Sequence, residues 1–172
     1  MLVSKIRSEF GDAVEELAGA EWPTFRVRPD AIARTCEFAK TDPDLEMDYL
    51  CSLTAVDWQD RFEMVYHLYS IRHGHGLVLK VDLPHDDPRI DTVTGVWRAA
   101  NWHEREVYDM FGVEFNGHPD LRRILMPEGT RSFPLRKDFD FVEDPDDPLA
   151  VEPRVETRDQ GKGNIGDLGS EI

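Results

Sequence analysis

Four ionisable side chains crowd one short stretch of this sequence: His103, Glu104, Glu106 and Asp109. His103 and Glu106 stand three apart, so on a helix they share a face and could both reach a metal ion, with Asp109 a further turn along. A metal centre also needs a complete ligand set and a supporting shell, and nothing nearby in the chain completes one. The better reading is a charged stripe facing solvent or a partner, tied by helical ion pairs through Arg105.

Other candidates are weaker. His67, His73 and His75 gather around a glycine-containing turn, where a polar turn is a better reading than a surface metal site. The two cysteines, Cys36 and Cys51, are too few for an iron–sulfur cluster or a structural zinc site, which take four ligands. Both lie in apolar stretches and read as buried thiols of a reducing compartment. No Ser or Cys stands in a recognisable motif with a base and an oxyanion donor. Gly161, Gly163 and Gly166 spell G-x-G-x-x-G, but that fingerprint binds a dinucleotide only between a strand and a helix. Here it follows an acidic, proline-bearing stretch close to the end of the sequence, so we reject it.

The strongest local feature follows the charged stretch. Gly117-His118-Pro119-Asp120-Leu121-Arg122-Arg123-Ile124-Leu125-Met126-Pro127 leads on to Phe133-Pro134-Leu135-Arg136-Lys137-Asp138-Phe139. Apolar residues alternate with arginines in a proline-fixed segment without helical or strand period, and loops of this length are usually functional. The planar guanidinium pairs bidentately with carboxylates, so Arg122, Arg123 and Arg136 suit a contact with another protein. The competing reading folds those arginines back onto the domain's own acids.

The elements that must position these residues follow from periodicity. Leu2, Val3, Ile6, Phe10, Val14 and Leu17 recur at helical spacing, predicting a helix over 2–18 that Trp22-Pro23 closes. A strand is expected at Thr24–Arg28 and a helix over Asp30–Lys40, ended by Asp42-Pro43-Asp44. Tyr49–Trp58 is apolar and compatible with a strand or a short helix. Phe62–Arg72 and Leu77–Leu83 read as a hairpin around His73–Gly76. A third helix is expected from about Asp91 to Met110, with Gly112 stopping it. The sum is an α+β fold: a single α/β domain over 1–116 with a mainly antiparallel or mixed sheet covered by helices. Residues 117–139 form the interface loop segment, and 140–172 an extended acidic tail that wraps neighbours or lacks order alone. At about 3.3 Å per residue that tail reaches roughly 115 Å when extended.

Composition excludes several classes. A formal net charge of −15 argues against nucleic acid and against direct docking on anionic headgroups. No apolar run approaches the roughly 20 residues of a membrane helix, so direct membrane insertion is not expected. The first residues are interrupted by charges and read as an amphipathic helix, not a signal peptide.

The run Glu104–Phe115 (EREVYDMFGVEF), then GHPDLRRILMPE at 117–128 and PLRKDF at 134–139, resembles the signature of the respiratory complex I 30-kDa family. That family comprises the bacterial C-type subunit, the mitochondrial 30-kDa protein and the chloroplast J-type subunit. The resemblance implies a non-redox structural subunit in the peripheral arm of proton-translocating NADH:quinone oxidoreductase, on the cytoplasmic side of the inner membrane. It implies that this chain binds no cofactor, since FMN and Fe-S clusters reside in partner subunits, and that the isolated chain is non-catalytic. Partners would be the D-type quinone-site protein and the neighbouring B-type and I-type subunits. Relatives also serve membrane-bound [NiFe] hydrogenases and formate hydrogenlyases, which leaves that host as the alternative. The interface residues it marks are Glu104, Arg105, Glu106, Asp109, Phe111, Gly112, Gly117, His118, Pro119, Leu121, Arg122, Arg123, Pro134, Leu135, Arg136, Lys137 and Asp138.

Overall fold

Two long apolar strands set the architecture. In the computed structural model, which describes residues 2–139, β4 (Arg61–Ser70) and β5 (His75–Pro84) pair antiparallel over ten residues. Phe62, Met64, Tyr66 and Leu68 alternate onto one face, as do Leu77, Leu79, Val81 and Leu83, the period-2 signature of a strand packed on a core. β3 (Tyr49–Asp57) adds antiparallel to β4, with a bulge between Leu50 and Ser52. β2 (Thr24–Val27) joins β5 in parallel, and β1 (Val14–Leu17) closes the edge antiparallel to β2. The order is β1-β2-β5-β4-β3, a mixed five-stranded sheet.

One face of the sheet packs against α1 (Leu2–Phe10), α2 (Ile32–Thr41) and α3 (Ala100–Phe111). Ile6, Ile32, Cys36, Ala39, Val107, Met110 and Phe111 join the inward strand residues in one core. The opposite face is laced with ion pairs: Lys80 with Glu63 at 2.8 Å and Arg26 with Asp82 at 3.1 Å. Two short parallel strands, β6 (Arg89–Asp91) and β7 (Glu114–Asn116), bracket α3. The fold is therefore α+β, with helices on a mixed sheet, as the periodicity implies.

Three local readings change, and one left open is settled. The first helix ends at Phe10, because Gly11 takes a positive φ of 50°, and Val14–Leu17 pair with Thr24–Val27 as a strand. Val14 and Leu17 stand three apart, a helical spacing, but in the strand they fall on opposite faces and only Val14 is buried. Tyr49–Asp57 resolves as a strand. The β4–β5 turn lies at 71–74, two residues earlier than the glycine pattern suggests. The third helix starts at Ala100, not near Asp91. Residues 92–99 form successive turns, and the Trp97 indole N–H donates to the Met47 carbonyl at 3.0 Å. Those turns bury Val93 and Trp97 at spacings that look helical in sequence. The tail and its G-x-G-x-x-G run lie outside the described residues.

Candidate partner interface

α3 is held at its start by its own second turn. Glu104, fully buried, accepts the Val93 N–H at 2.7 Å and the Thr92 hydroxyl. Burial pushes the Glu104 carboxyl up to about 7, against the pull of those two donors. His118 lies 3.9 Å away, its side chain equally buried, and burial lowers its pKa. Its Nδ1 accepts the Asp120 N–H at 3.0 Å, which leaves Nε2 to carry the proton toward the Asn101 carbonyl and Glu104.

At its other end α3 stops on Gly112, whose φ of 75° is the left-handed cap that glycine adopts without a Cβ penalty. The Phe133 ring covers this glycine so closely that a Cβ there would meet it at 2.7 Å. Phe133 is held by the Arg123 guanidinium at 5.0 Å, by Arg136 at 5.9 Å and by the edge of Tyr108.

The centre of the site is Asp109. This fully buried carboxylate takes the backbone N–H groups of Ile124, Leu125 and Met126 on one oxygen, at 3.0, 2.7 and 2.9 Å. Its second oxygen receives Arg123 at 2.8 Å. Burial alone would raise the pKa, but the three N–H donors and Arg123 outweigh it and hold the carboxyl below its ordinary value. Arg123 also donates to the carbonyls of Asp109 and Ser132. One buried charge thus fixes the middle of a loop that has no secondary structure of its own.

The far end of the loop has a second anchor. Asp57, at the end of β3, accepts the N–H groups of Lys137 and Gln59 at 2.8 and 2.7 Å. Burial pulls the Asp57 pKa upward, yet these donors and His85 bring it below the usual carboxylate range. His85 stacks on Phe62 with 4.7 Å between ring centroids and lies 3.6 Å from Asp57. Arg136 donates to the His85 carbonyl at 3.1 Å and to that of Phe111 at 3.4 Å, and lies over Phe62 at 5.1 Å. Ligand atoms of Asp57, His85 and Asp138 fall within 4.8 Å of one another. Arg136 already sits against His85 and Asp138 at 3.4 and 3.3 Å, so a guanidinium supplies the positive charge there.

The marked residues therefore divide in three. The side chains of Glu104, Arg105, Asp109, Phe111, His118, Arg123 and Arg136 turn inward and tie the loop to its own domain. Arg105 donates to the carbonyls of Arg122 and Arg123 at 3.1 and 3.4 Å. Gly112 and Pro134 are half-buried, and half-buried Leu121 packs against the core. Glu106, Gly117, Pro119, Arg122, Leu135, Lys137 and Asp138 remain exposed. Leu135 and the neighbouring Leu125 are 55% and 61% exposed.

The metal readings do not assemble. Asp109 is saturated by its four donors, Glu106 is exposed, and His103 does not converge with them among the described residues. His73 and His75 stack at 5.5 Å and meet the carbonyls of Pro43 and Leu45, which makes them turn locks. Cys36 is fully buried, which pushes its thiol up, and Cys51 is partly buried.

Asp57, His85, Thr92 and Trp102 escape the sequence reading as contributors, and Phe133 stands there within the loop without a role of its own. Asp57 and Lys137 meet across 80 residues of chain, a separation no local pattern reports.

Known proteins resemble this chain in sequence and in fold. The description "Respiratory-chain NADH dehydrogenase, 30 Kd subunit" fits residues 25–145. The chain is 49% identical over 141 residues to a C-type subunit of NADH-quinone oxidoreductase, designated C 2, of Rhizobium meliloti (strain 1021), covering 80% of this chain and 77% of that one. It is 43% identical over 170 residues to the protein of the same name from Rhizobium etli (strain CIAT 652), covering 92% and 90%. Among solved structures it resembles a chain of the membrane-bound sulfane sulfur reductase, an archaeal respiratory membrane complex. The TM-score there is 0.68 at 30% identity, over 82% of this chain and 85% of that one. A trypsin-resistant fragment of Nqo5 matches with a TM-score of 0.56 at 27% identity, over 70% and 96%. The matched span includes both anchors of the loop, and the chain belongs to the family of the respiratory-chain NADH dehydrogenase 30 kDa subunit.

Proposed function

We propose that this chain is a structural subunit of the peripheral arm of a proton-translocating NADH:quinone oxidoreductase, where it binds no redox group and docks through residues 117–139 onto the quinone-site subunit. FMN and the iron–sulfur clusters belong to partner subunits in this reading. Their placement matters because electron transfer falls steeply with distance. The observation that carries the proposal is the contrast within the loop. Buried Asp109 and Asp57 fix its backbone, while Leu125 and Leu135 point outward. An ordered loop that exposes large apolar side chains presents a contact surface whose ordering entropy is already spent.

The chain reaches the membrane only through its partners, on the cytoplasmic side; no helix among the described residues is long and apolar enough to cross it. A second host has a specific observation behind it, the likeness to a chain of a sulfane sulfur reductase. Identities of 41–49% to NADH-quinone oxidoreductase subunits, against 30% for that chain, favour the first host.

Affinity isolation of the tagged chain from gently solubilised membranes tests the assignment. The NADH-oxidising and quinone-site subunits should co-purify in equal stoichiometry, and the chain expressed alone should neither oxidise NADH nor carry flavin or iron. Stoichiometric flavin in the isolated chain would refute it.

A further inference from the structure

The loop also walls a groove of about 680 Å³ between the turns before α3 and the Gly117–Pro119 corner, lined in part by Thr92, Thr94, Arg98, Asn101, Trp102 and Pro119. Trp102 is 63% exposed, unusual for a residue that is highly buried on average. Its indole is nonetheless held in place. Arg105 stacks on it at 5.1 Å, with its guanidinium fixed by the carbonyls of Arg122 and Arg123. The walls are fixed as well, because Thr92 bonds to buried Glu104 and the adjoining His118 is buried beside it. Arg98 is exposed, forms no ion pair among the described residues, and is the charged side chain of a lining that contains no carboxylate. This positive spot stands out in a chain whose formal net charge is −15.

We propose that this groove receives a segment of a neighbouring subunit in which a carboxylate adjoins an apolar side chain, the carboxylate pairing with Arg98 and the apolar group packing on Trp102. The inference rests on the docking role above and adds a second contact continuous with the loop. A preorganised tryptophan beside an unpaired arginine is the chemistry from which interface hot spots are built. The guanidinium fork selects a carboxylate with two parallel hydrogen bonds.

The test uses the full chain, tagged, in cells lacking the native copy. Trp102→Ala and Arg98→Glu should each reduce recovery of partner subunits at least tenfold, Arg98→Lys less. The isolated variants should melt within about 3 °C of the parent, as exposed substitutions do. A photo-crosslinking amino acid replacing Trp102 should attach to a sister-subunit peptide bearing Asp or Glu beside an apolar residue. Parental recovery in both variants, while Leu125→Ser/Leu135→Ser loses its partners, overturns the groove and leaves the loop reading standing. A crosslinked peptide without a carboxylate, or a crosslink to a second copy of this chain, also overturns it. Failure of the parent chain to recover any partner overturns both readings.

Discussion

Arg123 reaches back 14 residues to Asp109 and closes on it at 2.8 Å, beside three backbone N–H groups gathered by the same carboxylate. Asp109 is fully buried and the Arg123 side chain is 15% exposed, so the pair is shielded from water and salt more than a surface ion pair would be. A buried carboxylate is tolerated only when its lone pairs are filled. Here the loop backbone fills them, which makes the loop's conformation a condition of burying the charge.

Removing that carboxylate should therefore unfasten the loop before it unfolds the sheet. Asp109→Ala leaves Arg123 and three N–H groups without their partner, and loss of one member of a buried pair costs about 3–5 kcal/mol. Urea denaturation of the isolated chain measures the loss. Amide exchange at Ile124, Leu125 and Met126 should accelerate in the variant, while β4 and β5 stay protected.

Glu104 and Asp109 sit on the same helix and respond to pH in opposite senses. The pKa of Glu104 is raised from 4.5 to about 7, so the folded state retains a proton that the unfolded chain releases. Its contribution is fully present below pH 4.5 and is lost as pH rises through 7, a difference of about 3 kcal/mol at roughly 1.4 kcal/mol per unit. Asp109, with a lowered pKa, contributes above its unfolded value of 3.8 and loses that contribution as pH falls through its folded value. Comparing the parent with Glu104→Gln by chemical denaturation at pH 4.5 and 8 isolates the first effect. The parent should lose more stability than the variant over that interval; parallel pH profiles would contradict the assignment.

Glycine chemistry gives a sharper contrast. Gly112→Ala puts a methyl group 2.7 Å from the Phe133 ring at a φ of 75°, and the left-handed backbone alone costs about 1–2 kcal/mol for an L residue. Gly95→Ala adds its methyl to open space without a positive φ. The first should lower stability by about 2–3 kcal/mol and the second by less than about 0.5 kcal/mol. Thermal unfolding of both variants checks the difference.

How far the sequence carries the reading depends on the range of the interaction involved. The β4–β5 hairpin is legible because alternation over Phe62–Leu68 and Leu77–Leu83 is a local property. β1 and the turns at 92–99 are not, since Val14, Val93 and Trp97 follow helical spacings while packing into a core built from distant segments. The Gly112 stop and the importance of 117–139 can be read from glycine, proline and arginine placement. Which way the arginines turn cannot be read there, because Asp109 could meet Arg123 or water at equal cost to the local pattern. The second anchor is the least legible part: Asp57, His85 and Arg136 come from three separated segments, and only the folded domain brings them together.

The most direct test of a fixed loop that grips a sister subunit is the assembly of Leu125→Ser/Leu135→Ser. Both leucines are more than half exposed, so the isolated variant should melt close to the parent. In cells, quantitative mass spectrometry of the tagged chain should find its partner subunits reduced at least tenfold. Partner recovery equal to that of the parent chain, at unchanged melting temperature, would contradict the account.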